Sequence, residues 1–112
     1  MSEIEHLDRE GFNRLVSATP GPLIVDFWAE WCGPCRVVGP MLERLGREHP
    51  ELRIAKLNVD EEPELAAEYR IRGIPTVVRF DNGVETRRAN SALPYPELLR
   101  ALEIPEGQRV AA

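Results

Sequence analysis

The sequence has little sulfur and little excess positive charge, and it lacks a long apolar run. Its 112 residues contain two cysteines, too few for the disulfide framework of a small secreted domain. A net charge of −5 argues against nucleic acid or an anionic lipid surface as the principal partner. No apolar stretch approaches the roughly 18 residues that a membrane span needs. We therefore expect a protein that acts on neither nucleic acid nor a membrane.

The start of the chain and its two cysteines bear on the compartment. Residues 1–5 lack the basic and then apolar form of a signal peptide. In a protein without such a peptide, two cysteines are more often catalytic or metal-binding than structural. The expectation is a cytosolic protein. Its length and its 43% apolar residues predict a single domain over residues 1–112, with a frayed tail at 106–112.

Apolar periodicity predicts strands that alternate with helices. Strands are predicted over 4–7, 23–29, 52–59, 76–80 and 84–88. Helices are predicted from an N-cap at Asp8 to residue 18, over 34–49, from 60–63 to 69, and over 94–102. Pro40 should kink the second helix, and Asn82-Gly83 predicts a tight hairpin turn. This order predicts an α/β fold, with helices on both faces of a mixed sheet.

Cys32-Gly33-Pro34-Cys35 lies where the strand 23–29 gives way to a helix. Unpaired N–H groups and the positive end of the helix dipole favour a thiolate at Cys32. Cys35 follows about one turn later, a spacing at which a disulfide can close. Gly33 is expected to allow the tight entry into the turn, and Pro34 presets φ for the first turn. The stretch indicates a reversible dithiol switch.

A zinc site is the alternative interpretation of the cysteine pair. Zinc needs two further ligands, and the chain offers only His6 and His49, neither at ligand spacing from the pair. We therefore expect no metal at this position.

The motif and its surroundings resemble the thioredoxin family. The resemblance rests on Trp28, on Trp31 next to the cysteine pair, on an Asp in the preceding strand, and on Gly73-Ile74-Pro75-Thr76. It covers residues 4–102. It implies the thioredoxin fold, in which five strands form the sheet and the last two run antiparallel to the rest.

The resemblance also implies an activity, that of a protein-disulfide reductase. Cys32 attacks a client disulfide, and Cys35 resolves the mixed disulfide. The chain itself binds no cofactor, acts as a monomer, and is recycled by an NADPH-dependent flavoprotein reductase. An oxidant or isomerase is a rival, although Gly33-Pro34 lacks the His that oxidising members usually carry before the second cysteine. A binding module without redox turnover is the rival from another class.

Two charged residues on the predicted central strands are candidates for proton transfer. Asp26 lies in an apolar strand, where burial would raise its pKa and make it a base for Cys35. An Asp hydrogen-bonded to neighbouring backbone is the alternative. Lys56 matches the lysine that neighbours this Asp in the family, and a solvated strand-end lysine is its alternative.

The remaining candidates concern client binding. Trp31 should form an exposed apolar wall for client contact. A backbone role, rather than a side-chain role, is expected for Gly33, Pro34 and Gly73. Ile74-Pro75 matches the family's cis-proline loop, which would free the backbone of Ile74 to pair with a client strand. A trans proline is the alternative.

The sequence departs from the family at two places. Asn90-Ser91 stands where thioredoxins usually have a small apolar residue followed by Gly, which puts the range of clients in question. Arg79 stands where the family prefers an apolar residue.

Overall fold

The computed structural model describes residues 4–106 and contains five strands and four helices over that range. The strands are β1 (Glu5–His6), β2 (Pro22–Trp28), β3 (Arg53–Asn58), β4 (Thr76–Asp81) and β5 (Val84–Ala89). The helices are α1 (Arg9–Ala18), α2 (Cys35–Glu48), α3 (Pro63–Glu68) and α4 (Tyr95–Ala101). Every predicted element is present, with ends that differ from the prediction by a few residues at most. Residues 107–112 of the predicted frayed tail lie outside the described residues.

The strands form one mixed sheet in the order β1-β3-β2-β4-β5. Both β1 and β2 pair parallel with β3, while β4 pairs antiparallel with β2 and β5 antiparallel with β4. The expectation that the last two strands oppose the rest is therefore wrong for β5. The Asn82-Gly83 turn, with φ of 53° and 87°, reverses the chain once more after β4 and restores the direction of β2.

Helices cover both faces of the sheet, as the element order predicted. One core joins α1 and α3 to a sheet face, and it contains Leu7, Phe12, Leu15, Leu23, Val25, Phe27, Ala55, Leu57, Leu65, Val78 and Phe80. The other joins α2 and α4 to the opposite face, and it includes Ile24, Val38, Leu42, Leu45, Ile54, Val77, Leu98, Leu99 and Leu102. Because side chains alternate along a strand, Asp26 and Lys56 share the α2 face with Ile24 and Ile54.

Local sequence signals explain how the helices nearest the site begin. The Asp8 carboxylate accepts the N–H of Gly11 at 2.8 Å, which is the N-cap that the sequence predicted for α1. Pro34 precedes α2 with helical φ and ψ of −61° and −24°. Pro40 lies inside α2 and contributes no N–H to its ladder; the kink there stays a prediction.

Arg79 has a structural partner that the sequence did not reveal. Its guanidinium pairs with the Asp81 carboxylate at 2.9 Å and donates to the carbonyls of Leu102 and Glu103 at 2.8 and 3.0 Å. These carbonyls follow α4, where Glu103 takes a left-handed φ of 56° and leaves them without helical partners. Arg79 therefore ties the end of α4 to the sheet.

Among residues 4–106, no helix combines the length and the apolar composition that crossing a membrane requires.

Candidate active site

One end of the sheet gathers the residues that the sequence singled out. The parallel strands β2 and β3 both finish there, since Trp28 pairs with Asn58. The antiparallel β4 starts there, with Thr76 opposite Phe27, and β5 ends there, with Ala89 opposite Val77. The cysteine loop after β2, the proline loop before β4 and the segment after β5 are thus neighbours.

Cys32 and Cys35 form a disulfide between the end of the β2 loop and the first residue of α2. Their Cα atoms are 5.4 Å apart, and the two residues are only 3% and 5% exposed. The N–H of Cys35 points at Cys32 Sγ over 3.2 Å. A helix-end donor aimed at this sulfur is what the strand-to-helix position predicted, and it favours negative charge on Cys32 once the pair is reduced.

The backbone conformation of the turn does not require a glycine at Gly33. Its φ lies outside the left-handed region, which among the described glycines is occupied by Gly21 and Gly83. A Cβ at Gly33 would meet no atom within 4 Å. The expected reason for this glycine, a tight entry into the turn, is therefore wrong. What its missing side chain provides is open space beside the disulfide.

Asp26 is fully buried on the α2 face of β2. Within residues 4–106, neither of its carboxylate oxygens has a hydrogen-bond partner. The alternative interpretation, an Asp hydrogen-bonded to neighbouring backbone, is therefore wrong. Burial raises the pKa of Asp26 from its ordinary 3.8 to about 7, and the charge of Lys56 opposes that rise. A carboxyl with such a pKa can hold or release a proton near neutral pH.

Lys56 lies directly opposite Asp26 in the parallel register of β2 and β3. Its Nζ is 4.4 Å from the centroid of the Trp28 ring, a cation–π contact that holds the ammonium over the indole. Lys56 is half-buried and lies inside β3 rather than at its end. Its position explains why its charge acts on the neighbouring carboxyl.

A cavity of about 290 Å³ opens beside Cys35 and Lys56. It is also lined by Trp28, Ala29, Glu30, Arg36, Gly39, Pro40 and Glu43. Sequence reasoning missed Gly39 and Glu43, although both lie on the α2 turns that follow Cys35, at helical spacing from the cysteine. The cavity is large enough and polar enough to admit water to this side of the disulfide.

A second cavity of about 320 Å³, here called the tryptophan groove, lies between Trp31 and the loop before β4. Its lining residues are Trp31, Val59, Ile71, Arg72, Gly73 and Ile74. Trp31 is 68% exposed, and its indole N–H donates to the Asp60 carboxylate at 2.8 Å. The acidic residue that holds the tryptophan was not identified from the sequence, although it follows β3 at the same end of the sheet.

The loop before β4 has the conformation that the resemblance implied. The Ile74–Pro75 peptide bond is cis, and Pro75 is buried. The hydroxyl of Thr76 donates to the carbonyl of Gly73 at 2.6 Å and closes the loop. Ile74 packs with Val59 against the buried cluster that contains both cysteines.

Asn90 and Ser91 follow β5 at the same end of the sheet and are exposed. The register that pairs Ala89 with Val77 carries them toward the start of β4 and the proline loop. Polar side chains therefore border the site where the family usually has a small apolar residue followed by a glycine.

Within residues 4–106, no group of three or more His, Cys, Asp or Glu side chains is arranged to hold a metal ion.

Comparison with known proteins gives a consistent result. The Thioredoxin family profile matches residues 3–103. A thioredoxin of Acidithiobacillus ferridurans is 44% identical over 101 residues, which are 89% of this chain and 94% of that protein. The chloroplastic M-type thioredoxin of Pisum sativum is 38% identical over 104 residues, which cover 92% of this chain but 60% of the pea protein.

Solved structures agree with the fold. The X-ray structure of Fasciola hepatica thioredoxin superposes with a TM-score of 0.82 at 34% identity, covering 89% of this chain and 97% of that one. The oxidised form of mitochondrial thioredoxin 3 from Saccharomyces cerevisiae gives a TM-score of 0.81 at 31% identity, covering 89% and 93%. The predicted five-stranded fold is confirmed.

Proposed function

This chain belongs to the thioredoxin family, and from that premise we propose that it reduces disulfide bonds in client proteins. The observation that carries the proposal is the Cys32–Cys35 pair at the start of α2. The Cys35 N–H that points at Cys32 Sγ stabilises a thiolate there, and the thiolate is the reactive nucleophile.

The reaction consists of two thiol–disulfide exchanges. In the reduced protein, the Cys32 thiolate attacks one sulfur of the client disulfide, and the other client sulfur leaves and takes up a proton. Cys35 then loses its proton and attacks Sγ of Cys32, which releases the second client sulfur as a thiolate that takes up a proton from solvent. The client disulfide gains two electrons and becomes two thiols, while Cys32 and Cys35 are oxidised to a disulfide.

Asp26 is proposed as the base that takes the proton of Cys35. Its pKa of about 7 allows it to accept a proton at neutral pH. It lies on the sheet face that α2 covers, and Cys35 is the first residue of α2. A water in the cavity lined by Cys35 and Lys56 would carry the proton. Lys56 is proposed to adjust the pKa of Asp26 through its charge.

Client binding is proposed for the surface around the disulfide. Trp31 and Ile74 would contact client side chains, and the open space over Gly33 and Gly73 would admit client backbone. Pro34, Pro75, Asn90 and Ser91 complete the proposed surface. An extended client segment would pair with the backbone of Ile74 as an added strand.

Recycling and location are separate proposals. Each reduction of a client leaves Cys32 and Cys35 oxidised, so the chain needs an external electron donor, and we propose an NADPH-dependent flavoprotein reductase. The protein would act as a monomer in the cytosol, where thiols are kept reduced. The pea relative is chloroplastic, so fractionation of the source cell with detection of this chain is the test of the compartment.

An insulin-type disulfide reduction assay tests the proposed function. Wild type should reduce the inter-chain disulfides in the presence of a dithiol donor, and Cys32→Ser should not. A wild type that oxidises reduced clients faster than it reduces disulfides would support the oxidant instead. A wild type without either activity would leave the binding module as the function.

A further inference from the structure

We propose that Arg72 selects client segments that carry a carboxylate close to their disulfide. The inference rests on the proposed function and adds the class of client to it. The client is a disulfide-bonded polypeptide with an apolar residue for the tryptophan groove and an Asp or Glu near its cysteine.

The tryptophan groove adjoins the cluster that contains both cysteines. Two of its lining residues, Val59 and Ile74, also pack against the cluster formed by Ala29, Cys32 and Cys35. A Cβ at Gly73 would meet no atom within 4 Å, and the φ of this glycine is not left-handed. Neither backbone conformation nor packing therefore requires a glycine at Gly73. The missing side chain leaves the groove of about 320 Å³ open.

Arg72 is the charged residue of this groove, and it is exposed. Among the arginines of residues 4–106, seven pair with carboxylates, whereas Arg72 does not, and neither do Arg14, Arg36, Arg47 and Arg70. In a chain of net charge −5, a guanidinium beside an apolar groove is available to an acidic ligand.

Hydrogen bonds from Arg88 fix the start of the segment that carries Arg72. Arg88 pairs with Glu85 through two contacts of 2.7 and 2.9 Å, and it donates to the carbonyls of Tyr69 at 2.8 Å and Arg70 at 3.3 Å. These carbonyls immediately precede Ile71 and Arg72. Because the start of the segment is fixed, less ordering remains to be done when a client binds.

A carboxylate lies beside the tryptophan of this groove. Asp60 accepts the indole N–H of Trp31, whereas Arg72 belongs to the lining contributed by the loop before β4. Asp60 repels a client carboxylate and Arg72 attracts it. An acidic residue of the client is therefore expected at Arg72 rather than at Trp31.

The test uses single-turnover reduction of peptide disulfides by the pre-reduced protein. A panel of peptides carries Glu at one position within three residues of the cysteine, and a matched panel carries Gln there. Wild type should reduce at least one Glu peptide roughly two- to five-fold faster than its Gln partner, the range of an exposed ion pair. The preference should decline as salt is raised.

Two variants with equal net charge separate a local contact from the overall field. Arg72→Gln should abolish the Glu preference. Arg47→Gln removes the same charge from the last turn of α2, at the end away from the cysteines, and should keep the preference. Equal rates for Glu and Gln peptides throughout the wild-type panel, or a preference that survives Arg72→Gln, would overturn the inference.

An uncharged small disulfide, bis(2-hydroxyethyl) disulfide, distinguishes failure of the inference from failure of the function. Wild type that reduces it but shows no Glu preference keeps the proposed activity and loses the role of Arg72. Wild type that reduces neither this compound nor any peptide contradicts the proposed activity itself.

Discussion

Asp26 and Lys56 lie directly opposite each other on β2 and β3, on the sheet face that α2 covers. The carboxyl is fully buried without a hydrogen-bond partner among the described residues, while the ammonium rests against the Trp28 ring. A buried carboxyl without a partner destabilises the folded protein when it ionises. Its place on the sheet face that α2 covers supports our proposal that it serves chemistry rather than stability.

Replacing Asp26 should stabilise the protein at alkaline pH. The folded state binds the Asp26 proton more tightly, since its pKa is about 7 there and about 3.8 in the unfolded chain. Stability therefore falls as pH rises from about 4 through 7, by about 4 kcal/mol in all at 1.36 kcal/mol per pKa unit. Asp26→Ala should unfold at higher denaturant than wild type at pH 8, and the gap should shrink toward pH 4.

The pH dependence of that gap separates the charge from the loss of side-chain volume, which does not change with pH. Denaturant midpoints of both proteins at pH 4 and pH 8 supply the four values needed. An Asp26→Ala protein that is less stable than wild type at pH 8, with a gap that narrows toward pH 4, would indicate a paired structural aspartate.

Removing the charge of Lys56 should raise the pKa of Asp26 further, because the lysine opposes the effect of burial. In Lys56→Gln, carboxyl carbon shifts followed by NMR should show Asp26 titrating above its wild-type value of about 7. The rate at which the mixed disulfide is resolved should depend on pH over the same displaced range. An unchanged Asp26 titration in the variant is incompatible with electrostatic coupling across the two strands.

The contacts of Arg79 predict a local contribution to stability. Its side chain is 20% exposed and binds Asp81 together with the two carbonyls after α4. Arg79→Met should lower the free energy of unfolding by about 1.5–3 kcal/mol, the range for hydrogen bonds to a charged group. Arg87 lies opposite on β5 and pairs with Glu103 on the surface, so Arg87→Met should cost less than about 1 kcal/mol.

Equal losses in the two arginine variants, measured by urea denaturation, would show that the contacts of Arg79 with the carbonyls of Leu102 and Glu103 add nothing. Increased hydrogen exchange at the end of α4 in Arg79→Met alone would locate the effect.

We expect the polar residues after β5, Asn90 and Ser91, to limit the range of client proteins that are reduced efficiently. Asn90 and Ser91 are exposed at the site end of the sheet, where an apolar residue and glycine would offer more contact and closer approach. Asn90→Val with Ser91→Gly should raise reduction rates for protein disulfides relative to the rate for a small disulfide. If the ratio is unchanged across several protein clients, the pair does not restrict client range.

Much of the fold follows from short-range signals that the sequence carries openly. The Asp8 cap, the Asn82-Gly83 turn and the apolar run of β2 each depend on neighbours in the chain, and each is present as predicted. The cysteine pair and its helix-end donor belong to the same class, since they lie within four residues of each other.

Contacts between distant segments could not be predicted in this way. Arg79 finds its carbonyls 23 and 24 residues away, and Asp60 lies 29 residues from Trp31. The direction of β5 is a different case, because it follows from the predicted Asn82-Gly83 turn and the antiparallel β4, and the wrong expectation came from the family resemblance. The space over Gly33 depends on the absence of neighbours, which no local pattern reports.

Trapping of mixed disulfides tests the roles of the two sulfurs most directly. Cys35→Ser retains the attacking thiol but cannot resolve the adduct, whereas Cys32→Ser lacks the thiol that attacks. After each variant is mixed with a disulfide-bonded client, non-reducing electrophoresis should show a covalent adduct for Cys35→Ser and almost none for Cys32→Ser. Equal trapping by the two variants, or trapping by Cys32→Ser alone, would contradict the assignment of Cys32 as nucleophile and Cys35 as resolving thiol.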